Sequence, residues 1–135
     1  MRRPMRRPLL PAALIAALLL LSAAAIAAGP APHVVVFFGS WSAKLDDPAM
    51  KAIQGAADWA KQHPDKPLTV IGYASTVGGT QANDDLSKLR AQMVSDTLVA
   101  DGVAAARIRR HAMGAVDYTL DPQETRRVEI ALGEE

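Results

Sequence analysis

The chain has no cysteine among its 135 residues. That absence excludes disulfides, thiolate metal sites, a cysteine nucleophile and a lipid-modified N-terminal cysteine. A second absence is local: from Leu9 to Ala28 there is no charged residue. Preceded by four arginines and containing the triplet Ala25-Ile26-Ala27, this run matches a secretory signal with an A-x-A cleavage site. About 20 apolar residues also suffice to span a bilayer, so the alternative is an uncleaved N-terminal membrane anchor. Either way the positive-inside rule keeps the arginines in the cytoplasm and exports the remainder by a Sec-type route. A basic stripe is missing as well. Four of the 15 Lys and Arg residues lie in the first seven positions, leaving 11 against 14 acids, a net charge of −3 on the exported part. A mildly acidic domain of this kind carries no footprint for nucleic acid.

What remains reads as 1–28 signal peptide or anchor, 29–33 short linker, and 34–135 one small domain. His33-Val-Val-Val-Phe-Phe38 predicts a strand, and its unbroken apolar character suits a central position or cover on both faces. Asp46-Asp47-Pro48 starts a helix, with a carboxylate cap and proline in the first turn. Met50, Ile53, Ala57 and Ala60 then recur at helical spacing up to His63-Pro64. Leu68-Thr-Val-Ile71 predicts the second strand. Leu86, Leu89, Met93, Val94, Thr97 and Leu98 form the stripe of a second helix that stops at Asp101-Gly102. A weaker strand over 105–113, after a short helical turn, and a clean alternation in Val128–Leu132 complete the order β-α-β-α-β-β. The class is α+β, a two-layer α/β sandwich with both helices on one face of a mixed sheet.

Between the second strand and second helix lies "GYASTVGGT", residues 72–80, read as a glycine- and hydroxyl-rich loop. It is not a phosphate cradle, because Thr80-Gln81 follow Gly78-Gly79 where such a loop needs lysine. It is not a nucleophile elbow, because Ser75 stands three residues from both Gly72 and Gly78. Ser40 and Ser42 have no lysine at S-x-x-K spacing, and His33, His63 and His111 have no partner at metal-ligand spacing. The residues point to no catalytic site, no metal and no cofactor. One anomaly stands out. On a helical wheel Arg90 falls between Leu86 and Val94, inside the apolar stripe, and a helical side chain leans back toward the helix start. There the free N–H groups and the positive dipole end, joined by a guanidinium, make a carboxylate site. The alternative is a buried Arg90 paired with Asp84, Asp85 or Glu129. The pattern alone leaves both open. Gly78-Gly79 is read as a pair of positive-φ turn residues, and Asn83 as a helix cap.

The segment "GYASTVGGTQANDDLSKLRAQMVSDTLVADGV", residues 72–103, resembles the core motif of the OmpA C-terminal-like (OmpA/MotB) family. Gly72, Gly78, Asn83, Leu86, Ser87, Arg90, Ala91, Val94, Leu98 and Gly102-Val103 match G-x-x-D-x-x-G followed by N-x-x-L-S-x-x-R-A-x-x-V without a gap. Phe38, Ser42-Ala43 and Leu45 upstream, and Met113-Gly114 and Arg126–Ile130 downstream, extend the resemblance over 34–132. It implies an OmpA-like domain that grips peptidoglycan noncovalently, through the diaminopimelate of the stem peptide. Arg90 matches the arginine that takes the diaminopimelate carboxylate. Ser75 stands where the family places the aspartate that takes the ammonium. A neutral hydrogen bond is worth about 0.5–1.5 kcal/mol against about 1.5–3 for a charged one, a difference of roughly tenfold in affinity. The ligand-binding set expected from the resemblance is therefore Arg90, Ser75, Thr76 and Asn83, with Asp84 or Asp85 replacing the missing acid. A second expectation, carried by Ser75, is a protein-interaction or scaffold domain of the envelope without peptidoglycan affinity, with Trp41 and Trp59 as surface candidates. Membrane contact is expected only through an uncleaved N-terminal segment.

Overall fold

In the computed structural model, residues 32–117 and 121–133 are described. The signal-or-anchor reading of 1–28 and most of the 29–33 linker lie outside them. Among the described residues no helix is long and apolar enough to cross a membrane.

The elements follow the expected order. They are β1 (His33–Phe37), α1 (Asp47–Gln62), β2 (Leu68–Ser75), α2 (Thr80–Ala100), a 3-10 turn (Ala105–Arg107), β3 (Ile108–Val116), a second 3-10 turn (Pro122–Thr125) and β4 (Arg127–Leu132). The sheet order is β1-β4-β2-β3. β4 is antiparallel to both β1 and β2, and β2 is parallel to β3. The α+β class with a mixed sheet is therefore the observed one. β1, expected to be central or doubly covered, is instead an edge strand, with Val35 and Phe37 exposed by 40% and 44%. Its apolar run misleads because β4 arrives last in sequence and takes the inner position. Val34, Val36 and Phe38 alone turn toward the core.

Local chemistry accounts for the helix ends. Asp46 caps α1, its Oδ1 accepting from the Ala49 N–H at 2.9 Å, and Pro48 occupies the first turn. α2 closes with Gly102 at φ +105°, and the N–H groups of Gly102 and Val103 donate to the carbonyls of Val99 and Leu98 at 3.0 Å each. That is the paired glycine closure expected at this point. In α1 the inward residues are Ala49, Ile53, Ala56, Ala57 and Ala60, whereas Met50 is exposed. The small side chains let the helix lie close to the sheet.

In α2 the expected stripe is rotated. Leu89 and Met93 are exposed, and the buried residues are Asn83, Ser87, Arg90, Ala91, Val94, Ser95 and Leu98. The cause lies in β2. Gly72 is a strand residue, not a loop residue, and a Cβ built on it would sit 2.2 Å from the Ser87 carbonyl oxygen. The helix backbone thus rests on the strand, and only small or tethered side chains fit its contact face. Ser87 and Ser95 satisfy their hydroxyls on the Asp84 and Ala91 carbonyls at 2.8 Å each. β2 itself continues through Ser75 because Ala74 and Ser75 pair with Ala115 and Val116, after a bulge on β3.

Candidate functional site

The end of β2, the loop after β1, the first turns of α2 and the 3-10 turn before β4 enclose a pocket of about 260 Å³. Its lining includes Ser40, Trp41, Ser75, Val77, Arg90 and Arg126. Arg90 is fully buried. Its Nε donates to the Ser42 carbonyl at 2.9 Å, Nη1 to Tyr73 at 3.0 Å and Nη2 to Gly39 at 3.1 Å. The guanidinium also lies 5.2 Å from the Phe38 ring centroid. A guanidinium has five N–H groups, so two on the terminal nitrogens are not used by these three carbonyls. The three carbonyls satisfy hydrogen-bonding geometry but not charge. Among the described residues, none in the pocket lining is acidic. Burial, followed by the nearby charge of Arg126, lowers the Arg90 pKa to about 10, so the group is still cationic at neutral pH.

The alternative pairing of Arg90 with an internal acid does not occur among the described residues. Glu129 lies on the opposite face of the sheet, bonded to Arg127 at 2.9 Å and to the Tyr73 hydroxyl at 3.2 Å. Asp85 accepts from Gln81 at 3.0 Å. The Asp84 carboxylate faces Gly114, where an added Cβ would meet its Oδ1 at 2.2 Å. Neither Asp84 nor Asp85 lines the pocket.

Of the other expected residues, Ser75 and Asn83 join Arg90 in the lining and Thr76 does not. The Ser75 hydroxyl oxygen accepts from the Val77 N–H at 3.0 Å, which leaves its proton free to donate into the pocket. Asn83 is not the helix cap. Gly79 holds that position with an extended backbone, and Asn83 lies inside the first turns. Its side-chain amide donates to the Val77 and Gly79 carbonyls at 2.9 and 3.0 Å, tying the loop to the helix. Of the glycine pair only Gly78 has positive φ, +92°. A side chain there would collide with the Trp41 ring, whose carbons lie 2.7 Å from the Cβ position. Trp41 itself stands at φ +53° and is 57% exposed, so it forms part of the rim. Trp59 is half-buried and stacked on His63 at 4.0 Å between ring centroids. Residues 80–82 at the helix start do not line the pocket, so the positive charge comes from side chains.

Sequence reasoning missed Arg126. Its Nε donates to the Phe38 carbonyl at 3.2 Å while its neighbour Arg127 stacks on the Tyr73 ring, 3.9 Å from its centroid, on the other face. Strand alternation carries this signal, because consecutive arginines entering a strand must diverge to opposite faces.

A sequence profile described as the OmpA family matches residues 37–130. Over 103 residues the chain is 37% identical to the probable lipoprotein YiaD of Escherichia coli, covering 72% of this chain and 47% of the relative. Over 114 residues it is 33% identical to the peptidoglycan-binding protein ArfA of Mycobacterium tuberculosis, covering 80% of this chain and 33% of the relative. The chain thus spans less than half the length of these two curated relatives. Among solved structures, the peptidoglycan-associated lipoprotein of Burkholderia pseudomallei superposes with a TM-score of 0.68 at 24% identity, over 73% of this chain and 89% of that one. That likeness establishes the shared fold.

Proposed function

The chain belongs to the OmpA family, and on that premise we propose that it is an exported, noncatalytic module that binds peptidoglycan in the periplasm through the diaminopimelate of the stem peptide. The observation that carries this reading is Arg90: a fully buried cation at the edge of an open pocket, without an acid among the lining residues. A buried charge costs several kcal/mol unless compensated. A ligand carboxylate supplies the compensation, taking the two remaining N–H groups of Arg90 and the hydroxyl proton of Ser75. Asn83 and Thr76 shape the loop between β2 and α2, and Asp84 contributes through its packing against Gly114. The relative named as peptidoglycan-binding and the structural neighbour named as peptidoglycan-associated support the same ligand class. Carboxylate capture by fixed cations and hydroxyls requires no proton transfer, and the Ser75 oxygen is already engaged by Val77.

Ser75 itself favours a second reading, an envelope scaffold that keeps the fold without wall affinity. The two are separated by cosedimentation of the purified protein with diaminopimelate-type sacculi, beside the Arg90→Lys and Ser75→Asp variants. Binding by the unmodified protein, weakened at least tenfold in Arg90→Lys, is the expected result. No binding by the unmodified protein, with binding gained in Ser75→Asp, sinks the first reading and supports the second.

A further inference from the structure

The pocket holds two guanidinium groups rather than one. Arg126 lines it beside Arg90, close enough that its charge contributes to the lowered pKa of Arg90. Among the described residues no lining residue is acidic, and the Ser75 oxygen lone pair that faces Val77 is already occupied. Every titratable group in the lining is therefore a cation, and the Ser75 hydroxyl is left as a donor. An ammonium entering this space meets two like charges and no counter-charge. A carboxylate meets both cations.

Resting on the peptidoglycan reading above, we propose that the site selects a carboxylate whose neighbouring nitrogen is acylated, and rejects a free zwitterionic amino-acid end. The ligand class is an N-acyl amino acid carboxylate. Within a cell wall that chemistry has two sources: a diaminopimelate end whose amine is consumed in a cross-link, and the C-terminal residue of a stem peptide. Arg90 and Arg126 hold the carboxylate oxygens. The Ser75 hydroxyl donates to the acyl carbonyl or to the carboxylate. The exposed rim of Trp41 and Val77, 57% and 65% accessible, covers the apolar part of the ligand.

The test is titration of the full-length protein by calorimetry with three probes: meso-diaminopimelate, its N,N′-diacetyl derivative and N-acetyl-D-alanyl-D-alanine. Removing one ammonium from the field of two cations at about 6–8 Å, at an effective dielectric of about 40, is worth roughly tenfold or more in affinity. The acetylated probes are expected to bind at least about tenfold more tightly than free diaminopimelate. Whichever of the two binds more tightly identifies the source. Arg126→Gln is expected to reduce that preference to roughly its square root, because one of the two cations remains, and Arg126→Lys to retain it. Ser75→Asp is expected to turn it toward the free amine. Equal or tighter binding of free diaminopimelate by the unmodified protein overturns the proposal. So does an acetyl preference that is undiminished in a folded Arg126→Gln variant. Cosedimentation with sacculi is scored separately, so loss of wall binding altogether refutes the underlying reading instead.

Discussion

Replacing Ser75 by aspartate is expected to stabilise the protein, an unusual outcome for a residue at a binding pocket. Arg90 is buried, hydrogen-bonded to neutral carbonyls without an acid partner, and further pressed by Arg126. A carboxylate at position 75 keeps the turn, because its oxygen accepts from the Val77 N–H as the serine oxygen does now. It also adds a counter-charge. At about 6 Å and an effective dielectric of about 20–40, one such pair is worth about 1.5–3 kcal/mol before the new group's own desolvation. Part of that is returned on burial, leaving about 1–2 kcal/mol. For a domain of this size the melting temperature then rises by about 5–10 °C. The new carboxylate has its pKa depressed in the fold, so the gain is complete above the unfolded value of about 3.9 and disappears as pH falls through the folded value. Thermal melts of both proteins at pH 7 and pH 3 measure this. An unchanged or lower melting temperature at pH 7, in a variant with native circular dichroism, refutes the description of the pocket as uncompensated positive charge.

Three further outcomes follow from the geometry. Gly72→Ala drives a methyl to 2.2 Å from the Ser87 carbonyl oxygen and 3.0 Å from the Ala91 Cβ, so α2 must lift from β2. Overpacking of this kind costs about 1–3 kcal/mol and lowers the urea midpoint by roughly 1 M. Arg107 donates to the carbonyls of Ala60, His63 and Lys66 at 2.9, 2.6 and 2.7 Å, closing the end of α1. Arg107→Ala is expected to destabilise by about 2 kcal/mol, a fraction of the summed charged hydrogen bonds because water reaches part of the site. Its check is the same urea titration, and a loss below about 0.5 kcal/mol means that these bonds are replaced by solvent. Finally, carboxylate binding is expected to hold level from pH 6 to pH 9, because Arg90, although burial lowers its pKa to about 10, keeps its proton there. Calorimetric titration at pH 6, 7.5 and 9 tests this, and an affinity that falls tenfold or more across that range refutes capture by guanidinium charge.

Element order, the start of α1, the end of α2 and the family were legible in the sequence, whereas the start of α2 was not, because Gly79 rather than Asn83 caps it. The Asp46 cap, Pro48, and the Gly102 closure are local chemistry, written within a few residues of where they act. The placement of Arg90 on the inner face was legible too, because a helical wheel needs no partner to be drawn. Legibility failed where the partner was far away in sequence. β1 looked like a central strand, yet it is an edge, because β4 lies between it and β2. Gly72 looked like the start of a loop, yet it is the point where a helix backbone rests on a strand.

The site divides in the same way. Residue identity alone established that Arg90 is a cation in an apolar stripe, that no cysteine or metal-spaced histidine is present, and that position 75 carries a hydroxyl rather than an acid. Whether Arg90 would meet Asp84, Asp85 or Glu129 depended on three elements converging. Pairing of β2 with β4 sends Glu129 to the far face, and the close approach of Gly114 holds Asp84 outside the pocket. Arg126, 36 positions from Arg90 in the chain, joins it because β4 enters the sheet with that residue turned toward the helices. Charge and hydrogen-bonding capacity belong to each residue and travel with the sequence. Compensation of charge depends on distance and burial, and those exist only once the chain is folded.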